Sequence, residues 1–427
     1  MRAWWMAAVL AAGDPYVELG PMVGPTGSDE ARLWVKASGP SRLAVRYGRR
    51  PDLADGRLTG GIPLGPDTDF AGHVRVTELE PATRYFYAVF LDGRAATAPP
   101  YPSFVTAPRP GMRGRFRFAF GSCVGAKGAD AAACWGDMAA RTSFDLLLML
   151  GDNHYADSTD PALQRASYRD HRRPAGFREI AARTPTYGIW DDHDYGPNNS
   201  DGTAPGKEDS LRTFREFWAN PAYGQEDDPG VYFSFSWGDA DFFMLDSRTH
   251  RTPNRAPDDG TKTMLGARQK EWLKRGLAAS RASFKFVACG SEWQTHTQPD
   301  GWSSFLRERD EIFGFIRDRG IRGVIFLSGD RHFTAAYQIQ GRFLEFTSGP
   351  LGSSNARPKE APEMILCHAE GKLYAVAEAD TTGERPAVTL EVYRAGEGLR
   401  ERRPFTAEEI DGEVRIPPMA WPPERRR

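Results

Sequence analysis

The sequence is poor in cysteine, lacks long apolar runs and carries almost no net charge. Four cysteines stand among 427 residues and none forms a Cys-x-x-Cys pair, so the sequence indicates no disulfide framework and leaves the redox compartment open. No apolar run approaches the length of a membrane-spanning helix, so we predict no transmembrane segment. Lys and Arg number 55 and Asp and Glu number 57, and the resulting charge of −2 predicts no specific nucleic-acid-binding surface.

The N-terminus is short and apolar, and it has two interpretations. Arg2 precedes the apolar stretch 4–12, which resembles a short secretory signal covering residues 1–14. The alternative is an irregular apolar N-terminus that packs on the folded body. Both interpretations stay open, and the sequence favours a secreted or periplasmic location only slightly over a cytoplasmic one. The oligomeric state is also left open.

Residues 15–107 have the pattern of an all-β domain. Apolar and polar residues alternate in 31–35 and 43–47, and clusters of Gly, Pro and Asp separate such runs. An aromatic-rich strand, 84–89, follows a Leu-x-Pro-x-Thr sequence at 79–83. These features predict an immunoglobulin- or fibronectin-like β-sandwich. The region contains no cluster of catalytic residue types, so we expect a structural role for it.

A Pro- and Gly-rich linker at 107–111 separates this region from a second one with a different pattern. From about residue 113 to 395, strand patterns alternate with helical patterns, which indicates βαβ units and an α/β fold. The tail, 396–427, is rich in Pro and Arg, and we predict a loose C-terminal extension.

The apolar run 146–150, which follows Asp145, is the centre of this second region. Gly151 ends the run, which predicts a strand buried on both faces, and Asp152 and Tyr155 follow. In open α/β sheets, ligands bind at the carboxyl ends of the strands. The same arrangement recurs at three further strand ends, which carry Cys123, Asp192 with His193, and Asp330 with His332.

The residue types at these strand ends suit two kinds of metal ion. A thiolate, a phenolate, an imidazole and a carboxylate suit a ferric-type transition metal, because hard and soft anions together offset its charge. Carboxylates and amides suit a harder cation such as calcium, magnesium or manganese. Asp152 has two carboxylate oxygens and could serve both ions. Two ions roughly 3.5–4 Å apart would hold a water and lower its pKa, which gives a nucleophile for attack on phosphorus.

Five short motifs occur in a fixed order along the chain. They are Gly-Ser-Cys at 121–123, Gly-Asp-x-x-Tyr at 151–155, Trp-Asp-Asp-His-Asp at 190–194 followed by Asn198 and Asn199, Leu-Asp-Ser-Arg at 245–248, and Gly-Asp-x-His at 329–332. This ordered set resembles the PhoD family, alkaline phosphatase D, within the calcineurin-like metallophosphoesterases. The resemblance spans residues 15–393 and implies a four-layer αββα metallophosphoesterase sandwich preceded by the β-sandwich.

The resemblance also implies an active site with ferric iron and calcium, for which manganese, zinc and magnesium are alternatives. It assigns the iron to Cys123, Asp152, Tyr155 and His332. It assigns the second ion to Asp152, Asp192 and Asp330. These ions would supply a metal-activated hydroxide for the hydrolysis of phosphoric esters.

The predicted catalytic residues are His193, Arg248 and Asn199. His193 matches the histidine of the superfamily's Asn-His-Asp/Glu motif, which faces the phosphate and would protonate the leaving oxygen. The fork of Arg248 suits pairing with phosphate oxygens. Asn199, or alternatively Asn198, would help to bind phosphate or the second ion. His154 departs from the family pattern, and we favour a hydrogen-bonded or exposed side chain over a ligand at this position.

The predicted activity is therefore that of a phosphoric ester hydrolase, an alkaline phosphatase or phosphodiesterase acting on a phosphate ester. A phospholipase D-like phosphodiesterase is the nearest alternative within the same class. A non-catalytic protein that binds carbohydrate or protein and keeps the fold is an alternative from a different class.

Overall fold

A computed structural model describes residues 13–296 and 299–420 of the chain. The predicted signal-like segment at 1–14 lies outside the described residues except for its last two positions. None of the helices in the described ranges combines the length and apolarity that crossing a bilayer requires.

Nine strands form the N-terminal region in two sheets that share one core. The strands are β1 (Val17–Thr26), β2 (Ala31–Ala37), β3 (Ser41–Gly48), β4 (Arg57–Leu58), β5 (Ile62–Leu64), β6 (Ala71–Val76), β7 (Arg84–Leu91), β8 (Arg94–Ala95) and β9 (Ser103–Val105). One sheet has the order β1-β2-β6, and the other has β4-β3-β7-β8 with β5 on β3 and β9 on β7. Alternate residues point inward, so that Leu33, Val45 and Val89 are fully buried in the shared core.

Fifteen further strands follow in the described part of the chain. They are β10 (Arg115–Gly121), β11 (Leu146–Leu150), β12 (Thr186–Ile189), β13 (Gly224–Gln225), β14 (Asp228–Pro229), β15 (Phe233–Trp237), β16 (Ala240–Met244), β17 (Phe284–Ala288), β18 (Val324–Ser328), β19 (Thr334–Ile339), β20 (Phe343–Thr347), β21 (Met364–His368), β22 (Leu373–Asp380), β23 (Ala387–Arg394) and β24 (Gly398–Phe405). The α-helices among them are α1 (Ala132–Arg141), α2 (Pro161–His171), α3 (Ala175–Ala181), α4 (Asp192–Tyr195), α5 (Lys207–Phe217), α6 (Gly266–Ala279), α7 (Leu306–Asp318) and α8 (Ala407–Ile410).

Most of these strands form two mixed sheets that face each other. One sheet has the order β12-β11-β10-β22-β23-β24, and the other has β15-β16-β17-β18-β20-β19-β21. Phe118 of β10 contacts Phe242 and Phe286 of the opposite sheet, with ring centroids 5.4 and 4.8 Å apart. Phe243, the neighbour of Phe242, points the other way and packs with Leu273 of α6 in a separate core. The seven-stranded sheet is therefore covered by the other sheet on one face and by helices on the other.

The central strand β11 is buried along its whole length, as the apolar run predicts. Leu146 to Leu150 are at most 2% exposed. The strand pairs in parallel with β10 on one side and with β12 on the other. Because full burial of one such side chain contributes about 1.5–3 kcal/mol, this strand holds its register firmly and fixes the position of the residues after it.

The C-terminal residues differ from the predicted loose extension at 396–427. Residues 398–405 form β24, which pairs antiparallel with β23 as the edge of the six-stranded sheet. Phe405 is fully buried, and Ile410 and Ile416 are 3% and 5% exposed. The abundance of Arg and Pro in this stretch concealed the strand, because most of its side chains are exposed or half-buried and Phe405 is the large apolar side chain of β24 that reaches the core.

Candidate metal centre

The candidate site lies where the carboxyl ends of strands from both sheets meet. Cys123 follows β10, Asp152 follows β11, and Asp192 begins α4 directly after β12. Asp330 follows β18 of the opposite sheet. Gly329 lets the two sheets approach here, since a Cβ on it would lie 2.6 Å from the Cβ of Ser122. The glycine of the Gly-Asp-x-His motif is therefore needed for close packing at the site.

Three groups of donor atoms form a connected cluster. In each group, one ligand atom per residue lies within 4.8 Å of the others. The groups are Cys123, Asp152 and His332; Asp152, Asp192 and His193; and Asp191, Asp192 and Asp330. Asp152 and Asp192 each belong to two groups. The structure thus brings all of the sequence-predicted Cys, Asp and His ligands into one place.

Tyr155 joins the thiol end of this cluster through hydrogen bonds. Its hydroxyl donates to Oδ2 of Asp152 at 3.1 Å and accepts from Oγ of Ser353 at 2.9 Å. Its ring stacks on the imidazole of His193, with centroids 4.1 Å apart. The phenol oxygen therefore lies next to the carboxylate that two donor groups share.

Several cluster residues have left-handed backbone conformations that are uncommon for residues other than glycine. The φ angles are 60° at Cys123, 53° at Asp152, 68° at Asp330 and 54° at His332. Such conformations cost about 1–3 kcal/mol each and persist where the surrounding structure imposes them, most often at functional sites. In this site, they turn the side chains sharply out of the strand direction and toward each other.

The carboxylates of the cluster have the electrostatics of a cation-binding site. Oδ1 of Asp152, Oδ1 of Asp192 and Oδ2 of Asp191 are buried and have no hydrogen-bond partner among the described residues. Burial, followed by repulsion from Asp192 and Asp191, raises the pKa of Asp152 well above its ordinary value. Burial also raises the pKa of Asp330 well above its usual range. Buried anionic groups without partners are costly unless a cation offsets them, so these residues fit bound metal ions.

The donor types differ between the two ends of the cluster. Cys123, Tyr155 and His332 bring a thiol, a phenol and an imidazole to one side of Asp152, whereas the other side is mainly carboxylates, with His193 at its rim. Burial raises the pKa of the Cys123 thiol well above its ordinary value, with a further contribution from Asp152. Coordination is the usual way in which a buried thiol becomes a thiolate. The set therefore fits one softer and one harder cation.

His193 and Asn199 both lie at the rim of the cluster. The side chain of His193 is 16% exposed, and its Nδ1 lies 2.5 Å from Oδ1 of Asp157. The backbone amide of Asn199 donates to Oδ2 of Asp192 at 2.7 Å. Both Asn198 and Asn199 are exposed, and the hydrogen bond to Asp192 makes Asn199 the one that is tied to the cluster.

His154 lies beside the cluster but outside the three donor groups. It is fully buried, its Nδ1 accepts from the amide of Ala156 at 3.2 Å, and its ring meets that of Tyr168 edge-on at 4.2 Å. This placement agrees with the favoured interpretation of a supporting side chain. Burial lowers the pKa of His154 well below its ordinary value.

The position of Arg248 requires a correction to its predicted role. Its side chain is fully buried and therefore does not present its fork to a phosphate group. Nε donates to Oδ1 of Asp191 at 2.6 Å, Nη2 donates to Oδ2 of Asp300 at 2.9 Å, and Nη1 donates to the carbonyl of Ser200 at 3.1 Å. Nη2 also lies 3.8 Å from Oδ1 of Asp192. Arg248 is thus a buried counter-charge behind the carboxylates of the cluster.

The ion pairs of Arg248 also help to explain why the pKa of Asp192 is lowered whereas that of Asp152 is raised. Burial opposes the ionisation of Asp192 most strongly, but Arg248, His193 and the amide of Asn199 favour it, and the pKa of Asp192 is lowered. Asp191 and Asp300 were not among the predicted site residues. Asp191 could have been found from the sequence, because it stands beside Asp192 in the Trp-Asp-Asp-His-Asp motif. Asp300 could not, because it lies in a Pro-Asp-Gly turn that does not follow a predicted strand.

The two facing sheets and the donor cluster at their carboxyl ends define a metallophosphoesterase fold. A solved structure of PhoD matches with a TM-score of 0.74 at 20% identity, over 91% of this chain and 92% of that one. The purple acid phosphatase PPD1 from yellow lupin (Lupinus luteus) seeds matches with a TM-score of 0.68 at 14% identity, over 94% of this chain and 76% of that one. Both likenesses concern the fold.

Sequence comparison gives the family. The model of the PhoD-like phosphatase matches residues 118–399, and the model of the PhoD-like phosphatase N-terminal domain matches residues 5–108. The chain therefore belongs to the PhoD-like phosphatase family, which confirms the predicted resemblance. Alkaline phosphatase D of Bacillus subtilis (strain 168) is 27% identical over 341 residues. The match covers 67% of this chain and 58% of that relative, so the chain spans less than two thirds of the relative's length.

Proposed function

We propose that the protein is a metal-dependent hydrolase of phosphoric esters, an alkaline phosphatase D-like phosphomonoesterase or phosphodiesterase. The observation that carries this proposal is the overlap of the three donor groups through Asp152 and Asp192. Overlapping groups suit neighbouring cations that share a carboxylate, and such pairs promote displacement at phosphorus. Membership of the PhoD-like phosphatase family supports the same activity.

The donor types suggest which residues would hold each of the two ions. We assign ferric iron to Cys123, Asp152, Tyr155 and His332, and calcium to Asp152, Asp192 and Asp330. When bound, these ions would activate a water as the nucleophile and offset the charge that builds on the phosphoryl oxygens. Manganese, zinc and magnesium are the alternatives for either position.

The chain's own residues would then orient the ester and supply the proton to its leaving oxygen. His193 stands at the partly exposed rim of the cluster, where the leaving oxygen of a bound ester can reach it. The amide of Asn199 holds Asp192, and its exposed side chain is free to contact a phosphoryl oxygen. Arg248 holds Asp191 and Asp192 from behind, and its charge favours the ionised form of Asp192.

The domain assignment belongs to the same proposal. We assign residues 15–107 to an immunoglobulin- or fibronectin-like β-sandwich, and residues 113–395 with strand β24 to a four-layer αββα catalytic domain. The shared core of the two N-terminal sheets supports the first assignment. The opposite orientations of Phe242 and Phe243, toward the other sheet and toward the helices, support the second.

Elemental analysis together with two chromogenic substrates tests the function. Protein purified without chelators is expected to contain a transition metal and to hydrolyse 4-nitrophenyl phosphate, bis(4-nitrophenyl) phosphate or both. Removal of the metals should abolish turnover, and adding them back should restore it. A rate on the diester that exceeds the rate on the monoester would favour the phospholipase D-like alternative. Absence of bound metal and of turnover would contradict the proposal and favour a binding protein.

Cys123→Ser is expected to lose the softer ion selectively. A serine hydroxyl is a poor anion at neutral pH, whereas the carboxylates that hold the harder ion are untouched. Metal content of the purified variant should show transition metal lowered about tenfold or more with the second ion largely retained. Cys134→Ser is the matched control, because Cys134 is equally buried but lies in α1 and outside the donor groups. Unchanged transition-metal content in Cys123→Ser would show that the thiol is not a ligand.

A further inference from the structure

Arg172 is a buried arginine at the boundary between the N-terminal sandwich and the catalytic domain. It directly follows α2 and is 4% exposed, and its Nη2 has no hydrogen-bond partner among the described residues. Aromatic rings surround the guanidinium instead, and its Cζ lies 4.5 to 5.7 Å from the ring centroids of Trp34, Trp218, Phe217 and Tyr168. These rings, the aromatic cage, hold the buried charge by cation–π attraction.

Trp34 is the ring of the cage that the N-terminal sandwich contributes. It lies in β2 and packs in the core of the catalytic domain, whereas its neighbour Leu33 points into the separate core of the sandwich. Its Nε1 donates to the carbonyl of Glu216 in α5 at 2.7 Å. Met22 of β1 also reaches the cage, because Nη1 of Arg172 donates to its Sδ at 3.5 Å. The cage is therefore complete only when the sandwich is docked on the helices.

The cage is connected to the metal-ligand segment through Tyr168 and His154. The ring of Tyr168 stacks on that of Phe217 with centroids 4.6 Å apart, and it meets the ring of His154 edge-on at 4.2 Å. His154 stands in the sequence between Asp152 and Tyr155, and it is fully buried. Protein interiors are close-packed, so a displaced ring displaces the side chains that pack against it. The position of His154, and with it that of its two neighbours, therefore depends on the cage.

We propose that Trp34 and Arg172 are positioning residues for the metal centre, an inference that rests on the proposed function. Trp34 holds the guanidinium of Arg172, the guanidinium holds the ring of Tyr168, and that ring supports His154. The sandwich supplies none of the assigned ligands, and its contribution is to restrict the movement of segment 152–155. Side chains that support metal ligands typically raise metal affinity about 10- to 100-fold. A sandwich with a purely structural role would leave the metal affinity unchanged.

The test measures how fast EDTA removes transition metal from the full chain, together with the free energy of unfolding in urea. Arg172→Met is expected to lose metal about tenfold faster or more, because methionine brings no charge to the rings. Arg172→Lys should restore most of the retention, since an ammonium also binds ring faces. Trp34→Phe keeps a smaller ring and should give an intermediate rate. The double variant Trp34→Ala with Arg172→Met should lose metal no faster than the faster single variant, because both residues act through one path.

Two controls separate positioning from stability, and both should lose metal at the wild-type rate. Arg169→Met makes the same substitution on α2, where Arg169 pairs with Asp69 of the sandwich at 2.6 Å and outside the cage. Leu43→Ala lowers the free energy of unfolding from within the separate core of the sandwich, where Leu43 is fully buried. Equally fast metal loss in the controls, wild-type rates in the cage variants, no rescue by lysine, or an additive double variant would overturn the inference alone. Wild-type protein that binds no metal would overturn the proposed function as well.

Discussion

Asp152→Asn is expected to abolish ester hydrolysis and to lower the occupancy of both metal positions at once. Asp152 is the residue that links the thiol end of the cluster to the carboxylate end, and both of its oxygens face the site. An amide has one ligand oxygen instead of two and no charge. If the ions contribute about 4 kcal/mol of transition-state stabilisation, turnover should fall about 10³-fold or more.

Asp145→Asn is the control for this substitution. Asp145 precedes the same strand at the opposite edge of the sheet, where its Oδ2 accepts from the amide of Arg117 at 2.8 Å. This variant should keep its metals and its rate, because the change lies one strand length away from the cluster. The measurements are metal content by elemental analysis and kcat on 4-nitrophenyl phosphate. A wild-type rate in Asp152→Asn would refute a shared ligand at this position.

The position of the cluster could be predicted from the sequence because strand ends are local features. An apolar run followed by Gly and a carboxylate indicates a buried strand and the place where it ends, as at 145–152. Parallel pairing of β10, β11 and β12 then brings three such ends to one edge. Four independent signals at strand ends thus sufficed to predict which Cys, Asp and His side chains would meet.

Contacts between side chains across the site depend on tertiary structure, so no local sequence pattern predicts them. Arg248 follows a strand within a motif, so its position near the site was predictable, whereas the direction of its side chain was not. Its burial depends on Asp300, which lies 52 residues further along the chain. The contact between Asp157 and His193 was not predicted for a similar reason, because it depends on the left-handed turn at Asp157.

Arg248→Met is expected to destabilise the fold rather than only to weaken substrate binding. Removing the guanidinium leaves Asp191 without its Nε donor and Asp300 without one of its two arginine partners. Loss of one partner of a buried ion pair costs about 3–5 kcal/mol, because the remaining charge stays buried and uncompensated. Urea unfolding should show this loss in the free energy of unfolding, and metal content should fall as Asp192 loses its nearby cation.

Arg248→Lys separates the two roles that have been considered for this residue. Lysine keeps the charge but lacks the fork that joins Asp191 to Asp300, so the free energy of unfolding should lie between those of wild type and Arg248→Met. If Arg248 instead bound substrate phosphate, both variants would raise KM while the urea midpoint stayed at the wild-type value. That outcome would reinstate the role predicted from the sequence. The buried position of the guanidinium, bonded to two carboxylates, leads us to expect the opposite result.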